Sequence, residues 1–152
     1  MILIAHRGNM DGPNPVQEND PSYIFHTLEC GFHVEIDLWI KDNILYLGHD
    51  YPEYKIDADF LKNEKLWIHC KNIDALTYCK ENNIQTNYFW HDQDDCTLTS
   101  NGWFWTFPGK QLTPYSIAVM PETKSFENIH MAKGICTDYV NMYQNQKSSF
   151  TM

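Results

Sequence analysis

Short apolar runs separated by turn residues recur along the chain, and this pattern predicts β-strands. Eight such runs occupy residues 2–5, 34–40, 44–48, 66–70, 86–90, 103–107, 116–120 and 134–137. Asp42 and Asn43, between the second and third runs, are typical of a tight turn, so those two strands are expected to form a hairpin. Residues 91–102 and 108–115 show no helical period and contain Gly or Pro, which indicates loops.

Three gaps between the apolar runs carry apolar residues at helical spacing. The first helix is expected to begin after Asp20, a good N-cap, and to end at Gly31. The second is expected over residues 72–83 and the third over residues 125–133, where Gly134 follows. Residues 57–63 can form one further turn or two.

Strands that alternate with helices favour parallel β/α units. A full eight-unit barrel needs about 250 residues, whereas 152 residues leave about 19 for each unit. We therefore predict an α/β fold, a trimmed TIM-type (β/α) barrel in which several outer helices are missing or replaced by loops. No internal repeat, linker or low-complexity run divides the chain, so residues 1–152 are expected to form a single domain.

Composition and charge narrow the class of protein. The chain is 43% hydrophobic and 14% aromatic, which is enough for one core and argues against disorder. Eleven basic and twenty acidic residues give a net charge of −9, so nucleic acid is not the expected partner. An acidic protein can still bind an anionic substrate where a metal ion or a few cations reverse the local charge.

The sequence also indicates a cytoplasmic location. No run approaches the roughly 18 apolar residues of a membrane-spanning helix, and the first residues lack the basic start and apolar run of a signal peptide. Five cysteines form an odd set without a C-x-x-C pair, which is typical of reduced thiols rather than of disulfides or a zinc site.

Candidate chemistry is concentrated in the strand at residues 34–38, of sequence VEIDL. Alternation places Glu35 and Asp37 on one face, about 6.5–7 Å apart along the strand, where both carboxylates can reach one cation. Taken alone, the same pattern fits an antiparallel strand with a solvated outer face. In a parallel barrel the apolar face must meet the helices, so the carboxylates would point inward and need a metal or a cation.

Further polar residues follow at the ends of other predicted strands. His69 and Lys71 alternate against apolar neighbours, although each is also compatible with a structural role. His6 and Arg7 follow the first strand, and His49 follows the third. Catalytic groups collect at the carboxyl ends of barrel strands, where histidines suit acid–base work and an arginine suits a phosphate.

These motifs resemble, in their order along the chain, those of the glycerophosphodiester phosphodiesterase family. The resemblance is good up to residue 50, moderate around residues 66–72 and weak at residues 134–139. The best-matched motifs are H-R-G at His6, E-N at Glu18, E-x-D at Glu35 and G-H-D at Gly48. They are followed by a strand that ends at Lys71 and by G-I-x-T-D at Gly134.

The resemblance implies a phospholipase C-like TIM-barrel phosphodiesterase that uses a divalent cation, often Ca²⁺ or Mg²⁺. By the same resemblance, the metal ligands are Glu35 and Asp37, the acid and base are His6 and His49, and the phosphate is held by Arg7 and Lys71. Glu18, Asn19 and Asp50 are then expected to orient this cluster.

The chain departs from the family pattern in ways that affect the expected chemistry. His69 stands where the family usually has a third metal-binding glutamate, which favours Mn²⁺ or Zn²⁺ over Ca²⁺ or Mg²⁺. Glu122 can supply a missing carboxylate, although a glutamate there is also typical of a helix start. Residues 51–65 leave almost no room for the family's substrate-covering insertion, and Asp20 replaces the usual threonine after Glu18-Asn19.

The sequence therefore predicts a metal-dependent phosphodiester hydrolase that acts on a small-molecule substrate. One alternative is a related phosphodiesterase that acts on a lipid or a cell-surface polysaccharide. The other is a barrel that has lost catalysis and binds a phosphorylated ligand.

Overall fold

Ten strands form one mixed sheet in residues 1–150, the part of the chain that this computed structural model describes. The strands are β1 (Ile2–His6), β2 (His33–Lys41), β3 (Ile44–Leu47), β4 (Tyr54–Ile56), β5 (Leu66–Cys70), β6 (Asn87–Phe89), β7 (Cys96–Leu98), β8 (Phe104–Thr106), β9 (Ser116–Val119) and β10 (Gly134–Thr137). All eight predicted strands are confirmed. The sequence analysis missed β4 and β7, and β7 lies inside residues 91–102, which were wrongly predicted to be a loop.

Seven of the described strands run parallel, in the spatial order β6-β5-β2-β1-β10-β9-β8. The other three are antiparallel: β3 pairs with the second half of β2, β4 pairs with β3, and β7 pairs with β8. Asp42 and Asn43 both adopt positive φ, at 51° and 62°, and form the predicted hairpin turn between β2 and β3. β2 is thus the strand on which the parallel and antiparallel parts of the sheet meet.

The predicted TIM-type barrel is wrong. The sheet is a curled half-barrel of mixed strands, and residues 1–150 contain three short helices: α1 (Pro21–Glu29), α2 (Ile73–Glu81) and α3 (Val140–Phe150). The physical reason is the shortness of the connections. The chain folds back as the strands β3, β4 and β7 where a barrel of β/α units would need helices. No helix in these residues is long and apolar enough to cross a membrane.

The helix predictions were right where a cap marked the start. Asp20 accepts a hydrogen bond from the Ser22 amide at 2.9 Å before α1, and Asn72 accepts one from the Ala75 amide at 3.0 Å before α2. The predicted turn at residues 57–63 is confirmed by a 3₁₀ helix at Ala58–Lys62.

The helix predicted over residues 125–133 is wrong. Asn128 has φ of 57° and ψ of 47°, a left-handed conformation that stops any helix there, and only a 3₁₀ turn forms, at Ile129–Met131. The sequence analysis missed α3, because its mostly polar residues show little of the apolar spacing that marks a helix.

The two faces of the sheet carry separate apolar clusters. The outer face of β2 contributes Val34, Ile36 and Leu38 to a core shared with Ile24 of α1 and Ala75 of α2. The inner face carries a smaller cluster formed by Ile4, Trp67, Phe89, Trp105, Ile117 and Cys136. The rings of Trp67 and Trp105 lie 5.8 Å apart although β5 and β8 are not paired, so the sheet curls until these strands face each other.

We expect Asn72→Ala to destabilise the protein by about 1–3 kcal/mol. The Asn72 side chain caps α2 and also bonds to the backbone of Ile40. Its Nδ2 donates to the Ile40 carbonyl at 2.8 Å, and its Oδ1 accepts from the Ile40 backbone amide at 3.3 Å, so Asn72 joins the helix to β2. Urea unfolding measures the change. The control is Asn82→Ala, at the exposed end of α2, where we expect less than about 0.5 kcal/mol. Equal losses in the two variants would contradict this role for Asn72.

Candidate active site

Glu35 and Asp37 project from one face of β2, as the alternation of the strand predicted, and this is the inner face of the curled sheet. Both are buried, with 3% and 1% of their surfaces exposed. The strand register places His6 of β1 opposite Glu35, and His69 of β5 opposite Asp37. Because residues opposite each other in a sheet project to the same side, four ionisable side chains from three adjacent strands meet on this face.

His69 completes a cluster with the two carboxylates. Its Nδ1 lies 3.2 Å from Asp37 Oδ1 and 3.9 Å from Glu35 Oε1, and ligand atoms of all three residues lie within 4.8 Å of one another. On the other side of the ring, His69 Nε2 donates to the His91 carbonyl at 3.0 Å. This bond holds a proton on Nε2 and turns Nδ1 toward the carboxylates, the arrangement that metal-binding histidines usually have.

The pKa values of the two carboxyl groups are shifted in opposite directions. Burial and the charge of Asp37 raise the pKa of Glu35 to about 7. Burial also opposes the charged form of Asp37, but the hydrogen bond with His69 and the charges of His69 and Arg7 outweigh it and lower the Asp37 pKa. The site thus lacks positive charge for two carboxylates, and a divalent cation between them would supply it.

Arg7 lies directly beyond β1 in a strained conformation, with φ of 54°. Its backbone amide donates to the Glu35 carbonyl at 3.0 Å, its Nη1 donates to Glu18 Oε1 at 3.1 Å, and its Nε lies 3.4 Å from Asp37 Oδ2. Asn19 binds Asp37 twice, donating from Nδ2 to Oδ2 at 2.9 Å and accepting from the backbone amide at 3.0 Å. Glu18 and Asn19 therefore contact the residues that they were predicted to orient.

His6 is held by Asp138, which the sequence analysis did not assign to the site. His6 Nδ1 lies 2.8 Å from Asp138 Oδ1, while Nε2 faces Glu35 at 3.9 Å. Asn9 donates to the same Asp138 oxygen at 2.9 Å. Burial lowers the pKa of His6, but the bond to Asp138 and the charge of Glu35 outweigh burial and raise it.

His49 forms a second histidine–aspartate pair at the end of β3. Its Nδ1 lies 2.8 Å from Asp50 Oδ1, and its side chain is 43% exposed. Gly48, just before it, donates from its amide to the Asp37 carbonyl at 3.1 Å and accepts from Trp39 Nε1 at 2.6 Å. A Cβ at Gly48 would overlap the Tyr51 carbonyl oxygen, so the turn that places His49 requires glycine.

One cavity of about 380 Å³ brings the predicted residues together at the carboxyl ends of the parallel strands. Its lining includes all seven residues predicted to bind metal, bind phosphate or transfer protons: His6, Arg7, Glu35, Asp37, His49, His69 and Lys71. Their roles remain predictions, but their convergence in one cavity is a property of the structure.

Glu122 does not join this cluster. Its carboxylate accepts hydrogen bonds from Thr137 Oγ1 at 2.9 Å and from the Asp138 amide at 3.0 Å, so it fixes the end of β10 instead. The cavity also contains residues that the sequence analysis did not assign, which are His91, Asp92, Trp105, Phe107, Pro108, Val119, Met120 and Thr123. Most of them, like Asp138, lie at or just beyond a strand end, and that position was the available signal.

Neither a family model nor a curated protein nor a solved structure matches this chain. The resemblance to glycerophosphodiester phosphodiesterases therefore rests on the short motifs alone, and the argument for function rests on the geometry of the cavity.

We expect the metal-free protein to lose stability relative to a Glu35→Gln variant as the pH rises from 5 to 8. Because the pKa of Glu35 is raised to about 7 in the folded state, the folded protein keeps a proton that the unfolded chain has released. This stabilisation is complete at low pH and is lost as the pH passes 7. The difference in unfolding free energy should change by up to about 3 kcal/mol, measured by urea unfolding with a chelator present.

The control for this measurement is Glu29→Gln, which changes the same functional group at an exposed position of α1. That variant should follow the pH profile of the wild type. Parallel profiles for wild type and Glu35→Gln would contradict the raised pKa of Glu35.

Proposed function

We propose that this protein is a metal-dependent phosphodiester hydrolase. The observation that carries the proposal is the cavity itself, in which the Glu35–Asp37–His69 cluster stands beside Arg7 and Lys71 and beside two histidine–aspartate pairs. A phosphodiester needs its negative charge neutralised, its nucleophile deprotonated and its leaving alcohol protonated. Each of these tasks has a candidate side chain in the lining.

Glu35, Asp37 and His69 fit a divalent cation. Two buried carboxylate oxygens and an imidazole nitrogen whose partner nitrogen is already bonded form a donor set that suits such an ion. The lining carries two permanent cations, Arg7 and Lys71, against three carboxylates, so a bound dication reverses the local sign and favours an anionic substrate. When bound, the metal would act as a Lewis acid on a phosphoryl oxygen.

Two histidines suit the proton transfers. In each pair the aspartate is bonded to Nδ1, which holds the ring in one orientation and stabilises the imidazolium, leaving Nε2 for the substrate. We assign His6 as the base that takes a proton from water or from a substrate hydroxyl, because Asp138 and Glu35 stabilise the imidazolium that results. His49 then protonates the leaving alkoxide as the P–O bond breaks. Water and diester give one alcohol and one phosphomonoester; attack by a substrate hydroxyl gives a cyclic phosphate first.

Arg7 and Lys71 are proposed to hold the phosphate. Arg7 is fixed by the hydrogen bond from its Nη1 to Glu18 and by the ion pair with Asp37, and its other N–H donors are proposed to bind the phosphate. Lys71 lies just beyond β5, where its backbone amide donates to the Leu38 carbonyl at 2.8 Å. The motif resemblance assigns the same roles to both residues and thus supports the proposal, although the family's barrel is not the fold of this chain.

Hydrolysis of bis(4-nitrophenyl) phosphate in the presence of Mn²⁺ tests the proposal. We expect turnover by the wild type and a loss of about 10²–10⁴-fold in His6→Ala, because positioned acid and base groups typically contribute that much. His130→Ala, at an exposed histidine outside the cavity, is the matched control and should retain full activity. Turnover that neither His6→Ala nor His49→Ala reduces would refute the mechanism.

A second substrate separates the acid from the base. 4-Nitrophenolate leaves without a proton, whereas the alkoxide of glycerophosphocholine needs one, so His49→Ala should reduce activity far more on glycerophosphocholine. If instead His6→Ala reduces activity more on glycerophosphocholine than on bis(4-nitrophenyl) phosphate, His6 is the acid and His49 the base. Absence of turnover on both, with phosphate binding retained, would favour the alternative of a phosphate-binding protein without catalysis.

We expect Mn²⁺ and Zn²⁺ to bind more tightly than Ca²⁺ and Mg²⁺, because imidazole is a poor ligand for the latter pair. His69→Glu should reverse this preference and raise the affinity for Ca²⁺ or Mg²⁺ by tenfold or more, as measured by calorimetric titration. His26→Glu, on α1, makes the same charge change outside the cavity and serves as the control. Unchanged Ca²⁺ affinity in His69→Glu would exclude His69 as a ligand.

A further inference from the structure

The cavity has two chemically different walls. The charged wall comes from the ends of β1, β2, β3 and β5, and it carries the carboxylates, Arg7 and Lys71. The second wall comes from the ends of β8 and β9, and it is made of Trp105, Phe107, Pro108, Val119 and Met120. We call these five residues the apolar wall. Neither the proposed metal site nor the proposed acid–base pair uses any of them.

The curl of the sheet places the apolar wall across from the charged one. Trp105 lies 4.6 Å from the ring of Phe89, and Phe89 in turn stacks on His69 at 5.4 Å. At the mouth, Phe107 lies 5.3 Å from the ring of His91, whose carbonyl accepts from His69. Through Phe89 and His91, ring contacts therefore connect the apolar wall to His69 of the Glu35–Asp37–His69 cluster. A phosphate held at that cluster has apolar surface within reach of its ester groups.

Met120 contributes to this wall through an unusual backbone. Its φ of 50° is a conformation that a non-glycine residue adopts at a cost, and it persists where neighbours hold it. Here the Met120 amide donates to the Cys136 carbonyl at 2.8 Å, and the Met120 carbonyl accepts from Thr123 Oγ1 at 2.8 Å. Methionine offers a flexible, polarisable surface suited to apolar ligands. Arg7 shows the same kind of strain on the opposite wall.

We propose that the apolar wall binds an uncharged, apolar ester group of the diester, an alkyl chain or an aryl ring, next to the phosphate. This inference rests on the proposed function, because the phosphate must first be held by the charged wall. An apolar group bound here removes apolar surface from water on both partners, because Phe107, Pro108, Val119 and Met120 are not fully buried. A polar group such as glycerol would leave its hydroxyls facing residues that offer them few hydrogen bonds.

A quaternary ammonium group fits this wall less well. Such cations are bound by cages of open aromatic faces. Here Trp105 is buried and already stacks on Phe89, while Val119, Met120 and Pro108 have no aromatic face. Phe107 is the one exposed ring of this wall, and a single ring does not form a cage. The wall therefore favours a neutral group over a cation of the same shape.

Four monoesters of methylphosphonic acid test this inference, since each carries the single negative charge and one ester group of a diester. The ester groups are 3,3-dimethylbutyl, its cationic isostere choline, phenyl and glyceryl. Dissociation constants are measured by calorimetry with Mn²⁺ present. We expect the dimethylbutyl or the phenyl ester to bind about tenfold more tightly than the choline and glyceryl esters. The ratio of the dissociation constants of the dimethylbutyl and phenyl esters distinguishes an alkyl from an aryl ligand.

Substitutions assign this preference to the wall. Met120→Asn keeps a residue that tolerates positive φ, and Phe107→Asn changes a side chain at the exposed mouth, so neither should disturb the core. Each should weaken the better of the two apolar esters about five- to tenfold and the glyceryl ester less than twofold. Leu98→Asn, at an exposed apolar residue of β7 outside the cavity, should change neither.

The outcomes separate this inference from the proposed function. Equal affinities for all four esters, or tightest binding of the choline ester, would overturn the inference and leave the proposed hydrolase intact. A preference that Leu98→Asn abolishes as strongly as Met120→Asn does would also overturn it. Failure of every ester to bind would overturn both.

Discussion

Two carboxylates buried two positions apart on a central strand repel each other, and the neighbouring strands supply the groups that make their burial tolerable. Asp37 is contacted by the side chains of His69, Asn19 and Arg7, while the Glu35 carboxylate accepts one hydrogen bond, from the Arg7 backbone amide at 3.3 Å, and lies 3.9 Å from His6 and His69. The asymmetry explains why the pKa of Glu35 is raised and that of Asp37 is lowered. A pair left short of positive charge destabilises the folded protein and, for the same reason, gives a dication strong electrostatic attraction.

β2, the strand that carries both carboxylates, is long enough to take part in the parallel sheet and in the hairpin with β3. The first half of the strand lies between β1 and β5, and its second half turns into the hairpin with β3. The Asp37 carbonyl receives the Gly48 amide, so the same residue that carries a carboxylate also fixes the turn that presents His49. Strained backbones at Arg7 and Met120 lie on opposite sides of the cavity, which is typical of sites where geometry is held at the expense of local stability.

Local signals predicted the strands and the site, whereas the overall architecture could not be derived from them. Alternation along β2 predicted that Glu35 and Asp37 share one face. That face points inward because β2 pairs in parallel with β1 and β5 and because Val34, Ile36 and Leu38 pack against helices on the other side. The barrel prediction failed because periodicity does not reveal whether a short connection returns as a helix or as an antiparallel strand, as β4 and β7 do. Asp138 was recognised as part of a motif but not as the partner of His6, since that contact spans 132 positions and depends on the pairing of β1 with β10.

The two walls of the cavity come from different strands and are held by different interactions. The charged wall is held by ion pairs and buried hydrogen bonds that involve each other, so a substitution there disturbs several partners at once. The apolar wall is instead connected to the Glu35–Asp37–His69 cluster through the rings of Phe89 and His91. Its surface residues Phe107 and Met120 are not fully buried. Under the proposed function, substitutions on β8 and β9 would change the ester group that fits without changing how the phosphate is held. The cavity thus has His6 and the Glu35–Asp37–His69 cluster on β1, β2 and β5, and its apolar surface on or just beyond β8 and β9. In the proposed enzyme, chemistry and substrate choice would therefore depend on different strands.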